Sequence, residues 1–243
     1  MSKKNRETDR AARAAAAMAE QHRQEARRRN VMVGGVVLAI LVVVAVGYFI
    51  SRSLDTTTDV SAPAAGSEFG LTIGPDDAPH EVIIYEDFLC PFCGELEAAS
   101  RDDLSQLAAD GKVQVEYRPF DLLTQAGDYS ARSAGAFSIV LDKAGADVAK
   151  KFHDLLYENQ PSEAGPFPDN AALVDLAVQA GATEADVKGP IEDEDGAGWA
   201  DRATKAADEA GVSGTPTVLL DGKVFTDYSN MQDLASNLVE QLQ

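Results

Sequence analysis

The sequence predicts an α/β domain: a parallel β–α–β unit, a long run of helices, and a hairpin that completes the sheet, with one apolar helix ahead of the domain. Three observations carry this. Val82, Ile83, Ile84 and Tyr85 form an apolar, β-branched run, followed by a helical stripe and then by alternating residues at 112–118; strand, helix and strand within about 40 residues make a parallel unit. Roughly ninety residues, 119–211, show helical periodicity and no convincing strand. Finally, the twenty residues 31–50 carry no charge and almost no polar side chain.

From the amino end, residues 1–30 hold nine Lys/Arg and four Asp/Glu, a net of +5, and read as a solvated basic tail rather than a lipid- or nucleic-acid-binding arm. Residues 31–50 are long enough, as a helix, for the ~30 Å hydrocarbon core of a bilayer. Arg27, Arg28 and Arg29 abut one end, while beyond the other only Arg52 precedes Arg101. The positive-inside rule therefore places the amino terminus in the cytoplasm and the rest outside. The rival, a cleaved signal peptide ending near Ala62-Pro63-Ala64, fits less well, because the apolar run exceeds a signal's usual core. Residues 51–68, rich in Ser, Thr, Ala, Pro and Asp, read as a flexible tether with a reach of roughly 20–25 Å.

The folded domain is expected over 69–243. Residues 80–88 form a strand buried on both faces. Cys93, Leu96, Ser100, Leu104 and Leu107 then mark one face of a helix ending near Gly111, and Val113, Val115 and Tyr117 mark the next strand. In the helical block, Val148, Phe152, Leu155 and Leu156 recur at helical spacing, as do Leu173, Leu176, Ala177 and Ala180, and Trp199, Ala203, Ala206 and Ala210. A hairpin follows, with strands at 217–220 and 223–226 around Asp221-Gly222. A last helix carries Met231, Leu234, Leu238 and Leu242.

The only two cysteines, Cys90 and Cys93, lie in Cys90-Pro91-Phe92-Cys93 at the strand-to-helix junction. A lone structural bridge across so short a loop would stabilise little. Zinc would need four ligands, and the exported part adds only His80 and His153, so no metal is expected. A redox pair remains. Cys93 falls on the buried stripe and is expected to be the shielded, resolving thiol. Cys90 is expected at the helix start, exposed and of low pKa, where unpaired N–H groups and the helix dipole favour a thiolate. Pro91 suits the first helical position and leaves the N–H groups of Phe92 and Cys93 as donors to the Cys90 sulfur.

Residues 69–243 resemble the DsbA-like branch of the thioredoxin superfamily, of the membrane-anchored type found in Gram-positive and actinobacterial envelopes. The matching pieces are Asp87-Phe88-Leu89-Cys90-Pro91-Phe92-Cys93, the β–α–β start, the helical insertion, and Gly214-Thr215-Pro216-Thr217 before the hairpin. The resemblance implies a thioredoxin-like fold and a thiol:disulfide oxidoreductase without cofactor. Its partners would be reduced exported proteins as substrates and a membrane reoxidant. It also implies a cis Thr215–Pro216 bond facing Cys90, with the Thr215 backbone free to bind an extended substrate segment. One departure stands out. Many relatives keep a buried carboxylate six residues before the first cysteine, and here that residue is Ile84. Glu86 or Asp87 takes over its proton handling, or both are solvated residues at a strand end. A reductase or isomerase on the same scaffold, or a tethered thiol or copper-binding module, are the alternatives. His153, on a helix beside Phe152, is expected to be a surface or half-buried histidine. Glu192-Asp193-Glu194-Asp195-Gly196 reads as a solvated acidic turn, because Ile191 and Arg202 stand where a calcium loop needs acids. Residues 51–243 carry twelve Lys/Arg and 36 Asp/Glu, a net of −24, which disfavours acidic partners and nucleic acid.

Overall fold

In a computed structural model, which describes residues 60–61 and 66–243, the centre of the domain is the apolar run at 82–85, now the middle of a strand. The basic tail at 1–30, the apolar run at 31–50 and most of the tether lie outside the described residues. Among the described residues, no helix is long and apolar enough to cross a membrane.

Five strands, β1 (Leu71–Ile73), β2 (His80–Glu86), β3 (Val113–Pro119), β4 (Thr217–Leu220) and β5 (Lys223–Val224), form one sheet in the order β1-β3-β2-β4-β5. Only β2 and β3 run parallel, with Val82 opposite Val115 and Ile84 opposite Tyr117. The crossover between them is α1 (Pro91–Ala109). Five helices follow before the sheet resumes: α2 (Tyr129–Ala144), α3 (Ala146–Glu158), α4 (Asn170–Ala180), α5 (Glu184–Glu192) and α6 (Ala197–Glu209). The chain closes with α7 (Met231–Gln241).

Alternation along β2 divides the core. Val82 and Ile84 pack with Leu96 and Leu104 of α1 and with Leu234 and Leu238 of α7. Ile83 and Tyr85 face the other way, onto Phe120, Leu219 and Ala203 and Ala207 of α6. A third cluster joins Phe88, Leu89 and both cysteines to α2–α5. Each fully buried leucine contributes roughly 1.5–3 kcal/mol relative to leaving it in water, so the two-sided burial of β2 fixes the strand that ends at the thiols. The β4–β5 turn has Asp221 at φ 49° and Gly222 at φ 76°, the twist a two-residue hairpin needs. β5 is shorter than the sequence predicts. After Phe225 N–H donates to the Val218 carbonyl at 2.8 Å, Tyr228 N–H turns back to Thr226 and the chain heads for the Asn230 cap of α7.

The tether is also shorter than the stretch of polar residues suggests. Val60 packs in the cluster of Ile83, Phe120 and Ala207, and Ser61 N–H donates to the Ala210 carbonyl at 2.9 Å. Gly66 and Ser67 donate their N–H groups to the Glu116 carboxylate at 3.0 and 2.9 Å. Glu116 is fully buried in β3 and also accepts from Arg118 at 2.7 Å. Composition hides this because the attraction is between backbone donors and a buried carboxylate rather than between apolar side chains.

Candidate active site

The local sequence dictates how the thiols are presented. β2 ends at Glu86, Cys90 N–H closes a turn onto the Asp87 carbonyl at 2.9 Å, and α1 begins at Pro91. Cys90 is the N-cap, with extended backbone (φ −70°, ψ 117°), and Pro91 occupies the first turn, where a missing N–H costs the helix nothing. Cys93, one turn in, falls on the buried stripe with Leu96, Glu97, Ser100 and Leu104. The two cysteines are free thiols 3.6 Å apart. Phe92 between them projects outward, 57% exposed.

The Thr215–Pro216 peptide bond is cis, and the Thr215 carbonyl lies 3.4 Å from the Cys90 sulfur. This loop covers the nucleophile, so Cys90 is 5% exposed against 2% for Cys93. The sequence-based expectation of an exposed Cys90 is thus corrected. What separates the two sulfurs is their hydrogen-bond partners. The Cys93 thiol donates to the Cys90 sulfur; burial opposes ionisation there; but the Thr215 hydroxyl and the N–H groups of Cys93 and Phe92 add further support, lowering Cys90 to about 6. The Thr215 hydroxyl is buried with no hydrogen-bond partner, so it can turn toward a Cys90 thiolate, whereas the Thr215 carbonyl accepts from the Cys90 thiol. Burial pushes Cys93 far above the ordinary thiol range, with the Cys90 thiolate and Glu86 adding to it.

Glu86 and Asp87 are both buried, not solvated. Asp87 accepts from four neutral donors: Leu89 N–H at 2.8 Å, Leu122 and Leu123 N–H at 2.9 Å each, and the Ser130 hydroxyl at 2.7 Å. Glu86 instead accepts from His153 Nε2 at 2.7 Å. His153 is 0% exposed, contrary to the expected surface or half-buried position, because α3 packs it among Phe88, Tyr117 and Tyr157. Its Nδ1 donates to Asp154 at 3.0 Å and lies 3.6 Å from Glu97. Both ring nitrogens face carboxylates, an arrangement that favours the protonated imidazole, which can donate to both. Burial pulls its pKa down, but Glu86 and Glu97 outweigh that and raise it to about 9. Ile84 therefore does not leave the site without a buried carboxylate; Glu86 supplies one, paired with a cation.

Glu97, His153 and Asp154 offer ligand atoms within 4.8 Å of one another. Cations already serve the two carboxylates: Arg101 reaches Glu97 at 3.1 Å, Lys150 lies 3.6 Å from Glu97, and Lys150 also pairs with Asp154. The arrangement is an ion-pair cluster behind Cys93.

Sequence reasoning singled out Cys90, Phe92, Cys93, Thr215 and Pro216; in the structure the N–H groups of Phe92 and Cys93 and the Thr215 carbonyl lie at the Cys90 sulfur, and Pro216 follows Thr215 across the cis bond. It missed Glu97, whose signal was present, since it stands four residues after Cys93 on the same stripe. It also missed Gln160, whose amide donates to the carbonyls of Phe88 and Cys90 at 2.9 Å each. No pattern announces that contact, because its partners are backbone atoms seventy or more residues away.

A family model described as Thioredoxin matches residues 67–240. The chain is 24% identical over 199 residues to Probable disulfide bond formation protein D of Bacillus cereus, covering 80% of this chain and 90% of that protein. It is 30% identical over 166 residues to Na(+)/H(+) antiporter NhaA 3 of Salinispora tropica; this match covers 67% of the chain but only 23% of the antiporter's length. Among solved structures, reduced DsbA from Mycobacterium tuberculosis superposes with a TM-score of 0.59 at 28% identity, over 72% of this chain and 92% of that one.

Proposed function

We propose, from the premise that this chain belongs to the thioredoxin family and to its DsbA-like branch of thiol:disulfide oxidoreductases, that it is a membrane-anchored oxidase. Through Cys90-Pro91-Phe92-Cys93 it introduces disulfides into exported proteins. The observation that carries the direction is the Cys90 thiol at the amino end of α1, hydrogen-bonded by Cys93, with its pKa lowered to about 6. A stabilised thiolate exists only in the reduced form, so it makes the disulfide a stronger oxidant, by about 30 mV for each 1.4 kcal/mol.

In the oxidised enzyme, a substrate thiolate attacks the Cys90 sulfur. The Cys90–Cys93 bond breaks, a mixed disulfide forms on Cys90, and the electron pair leaves on Cys93, which takes up a proton. A second substrate thiolate then attacks the substrate sulfur of the mixed disulfide, and Cys90 departs as a thiolate. The substrate loses two electrons to the cysteine pair, and a membrane reoxidant later removes them. Glu86, whose charge acts on the Cys93 thiol, and its partner His153 are the buried acid–base pair we assign to this proton uptake, whereas Asp87 is saturated by N–H and O–H donors and acts as a brace. The cis Thr215–Pro216 loop presents backbone to an extended substrate segment beside Cys90.

A redox titration of the full chain against glutathione, with thiolate absorbance followed against pH, tests this. The oxidase reading expects a pair more oxidising than thioredoxin; a Cys90 pKa near 8 together with a more stable oxidised form would favour a reductase. Cys93→Ser should trap mixed disulfides with clients and Cys90→Ser almost none. For the anchor, a reporter that works only outside the cytoplasm, fused after Gln243, should be active while the protein stays in membranes.

A further inference from the structure

The amide of Gln160 sits just beyond the carboxyl end of α3. Its two hydrogens go to two carbonyls of the thiol motif, Phe88 O and Cys90 O, each at 2.9 Å. These carbonyls flank Leu89 and straddle the turn that brings the chain from β2 into α1. The Cys90 carbonyl also accepts the first N–H groups of the helix, from Cys93 at 3.1 Å and Gly94 at 3.2 Å. One side chain thus grips both the turn and the helix start. Space for it depends on Gly94. A methyl group there would lie 2.5 Å from Gln160 Oε1 and 3.2 Å from Cδ, closer than side chains tolerate. The residue after the second cysteine therefore lacks a side chain where the clamp needs room.

We propose that Gln160 is a positioning residue of the redox centre: its amide fastens the carbonyls of Phe88 and Cys90 and so holds Cys90 at the amino end of α1, a role that rests on the thiol–disulfide reading above. Gln160 does not touch the reacting sulfur. It acts through the Cys90 peptide, whose orientation sets whether the sulfur stays under the N–H groups of Phe92 and Cys93 and opposite Thr215. Without the amide, two partly buried carbonyls lose a donor and the N-cap backbone gains freedom. The thiolate then loses part of its fixed hydrogen bonding.

The test uses the reduced full chain and reads two quantities, the pH dependence of Cys90 thiolate absorbance and the equilibrium constant with glutathione. Gln160→Met keeps the length and removes the donor. It should raise the Cys90 pKa by roughly one unit and weaken the oxidising equilibrium about tenfold, or ~30 mV. Gly94→Ala, which pushes the amide away, should do the same in the native background and nothing further on top of Gln160→Ala. Gln160→Met with native pKa and equilibrium constant, whatever its effect on a denaturant melt, overturns the proposal. So does a Gly94→Ala shift of equal size in both backgrounds. A native Cys90 that titrates near 8 would instead sink the oxidase reading, and that result is visible before any substitution is made.

Discussion

Glu86 and Asp87 are adjacent, both buried, and satisfied in opposite ways. Asp87 gathers three backbone N–H groups and one hydroxyl, all uncharged, from the motif turn, the loop after β3 and α2. Glu86 meets a buried cation, His153, which is shared with Glu97 and Asp154 and reached from the rim by Lys150 and Arg101. The first arrangement has nothing on the donor side that titrates, so it is a fixed brace. The second is a cluster of mutually dependent charges whose balance moves with pH. Neighbouring carboxylates at one strand end can thus be architecture and chemistry, and the partners decide which.

The largest effect that bears on this contrast should come from Asp87. Asp87→Ala strands two buried donors, Leu89 N–H and the Ser130 hydroxyl, at roughly 1–3 kcal/mol each, and two part-buried ones, the N–H groups of Leu122 and Leu123. A loss of at least about 3 kcal/mol in a denaturant melt is expected, equal at pH 6.5 and pH 9.5. A loss that shrank strongly with pH would break the brace description.

The His153 effect should be comparable at most and should depend on pH. Its folded pKa, about 9, lies above the ordinary 6.5. The group therefore contributes stability that is fully present below pH 6.5 and lost as pH rises toward 9. Linkage puts the swing at about 3 kcal/mol as an upper figure, because the charges packed around His153 share it. Stability of the reduced protein at the two pH values, for native and His153→Gln, reads this directly. A variant that keeps the native slope would show that the cluster is not what titrates.

The smallest effect belongs to the rim. Arg101 pairs with Glu97 and Glu158 while still partly in water. Arg101→Met should cost about 1 kcal/mol or less, and the difference should shrink in high salt. A salt-independent loss would mean that the side chain matters for packing rather than charge.

Much of the fold was legible because it is written in local pattern. The run at 82–85, the alternation of Val113, Val115 and Tyr117, and Asp221-Gly222 each specify their own geometry within a few residues. Cys90, Pro91 and Cys93 were legible for the same reason, since a helix start and a helix stripe suffice to distinguish the thiols. The openness of Cys90 was misjudged because the covering loop comes from Thr215, 125 residues on. His153 was misjudged because its carboxylate partner Glu86 lies 67 residues away, and a lone histidine beside a phenylalanine carries no mark of burial. Asp87 did leave a trace: an acid two residues ahead of Leu89 can fold back on that N–H as an Asx turn.

Glu116 has a mechanical consequence. The chain arriving from the amino side is fastened to the body at two places, Ser61 on Ala210 and Gly66–Ser67 on the Glu116 carboxylate. The second lies on β3, across the sheet from the hairpin that carries the Thr215 loop. Tension applied to the upstream chain is therefore met first by these hydrogen bonds. They act as a strain relief, so that a pull from the amino side is taken up at Ala210 and on β3, the strand beside β2, rather than at the sulfur itself.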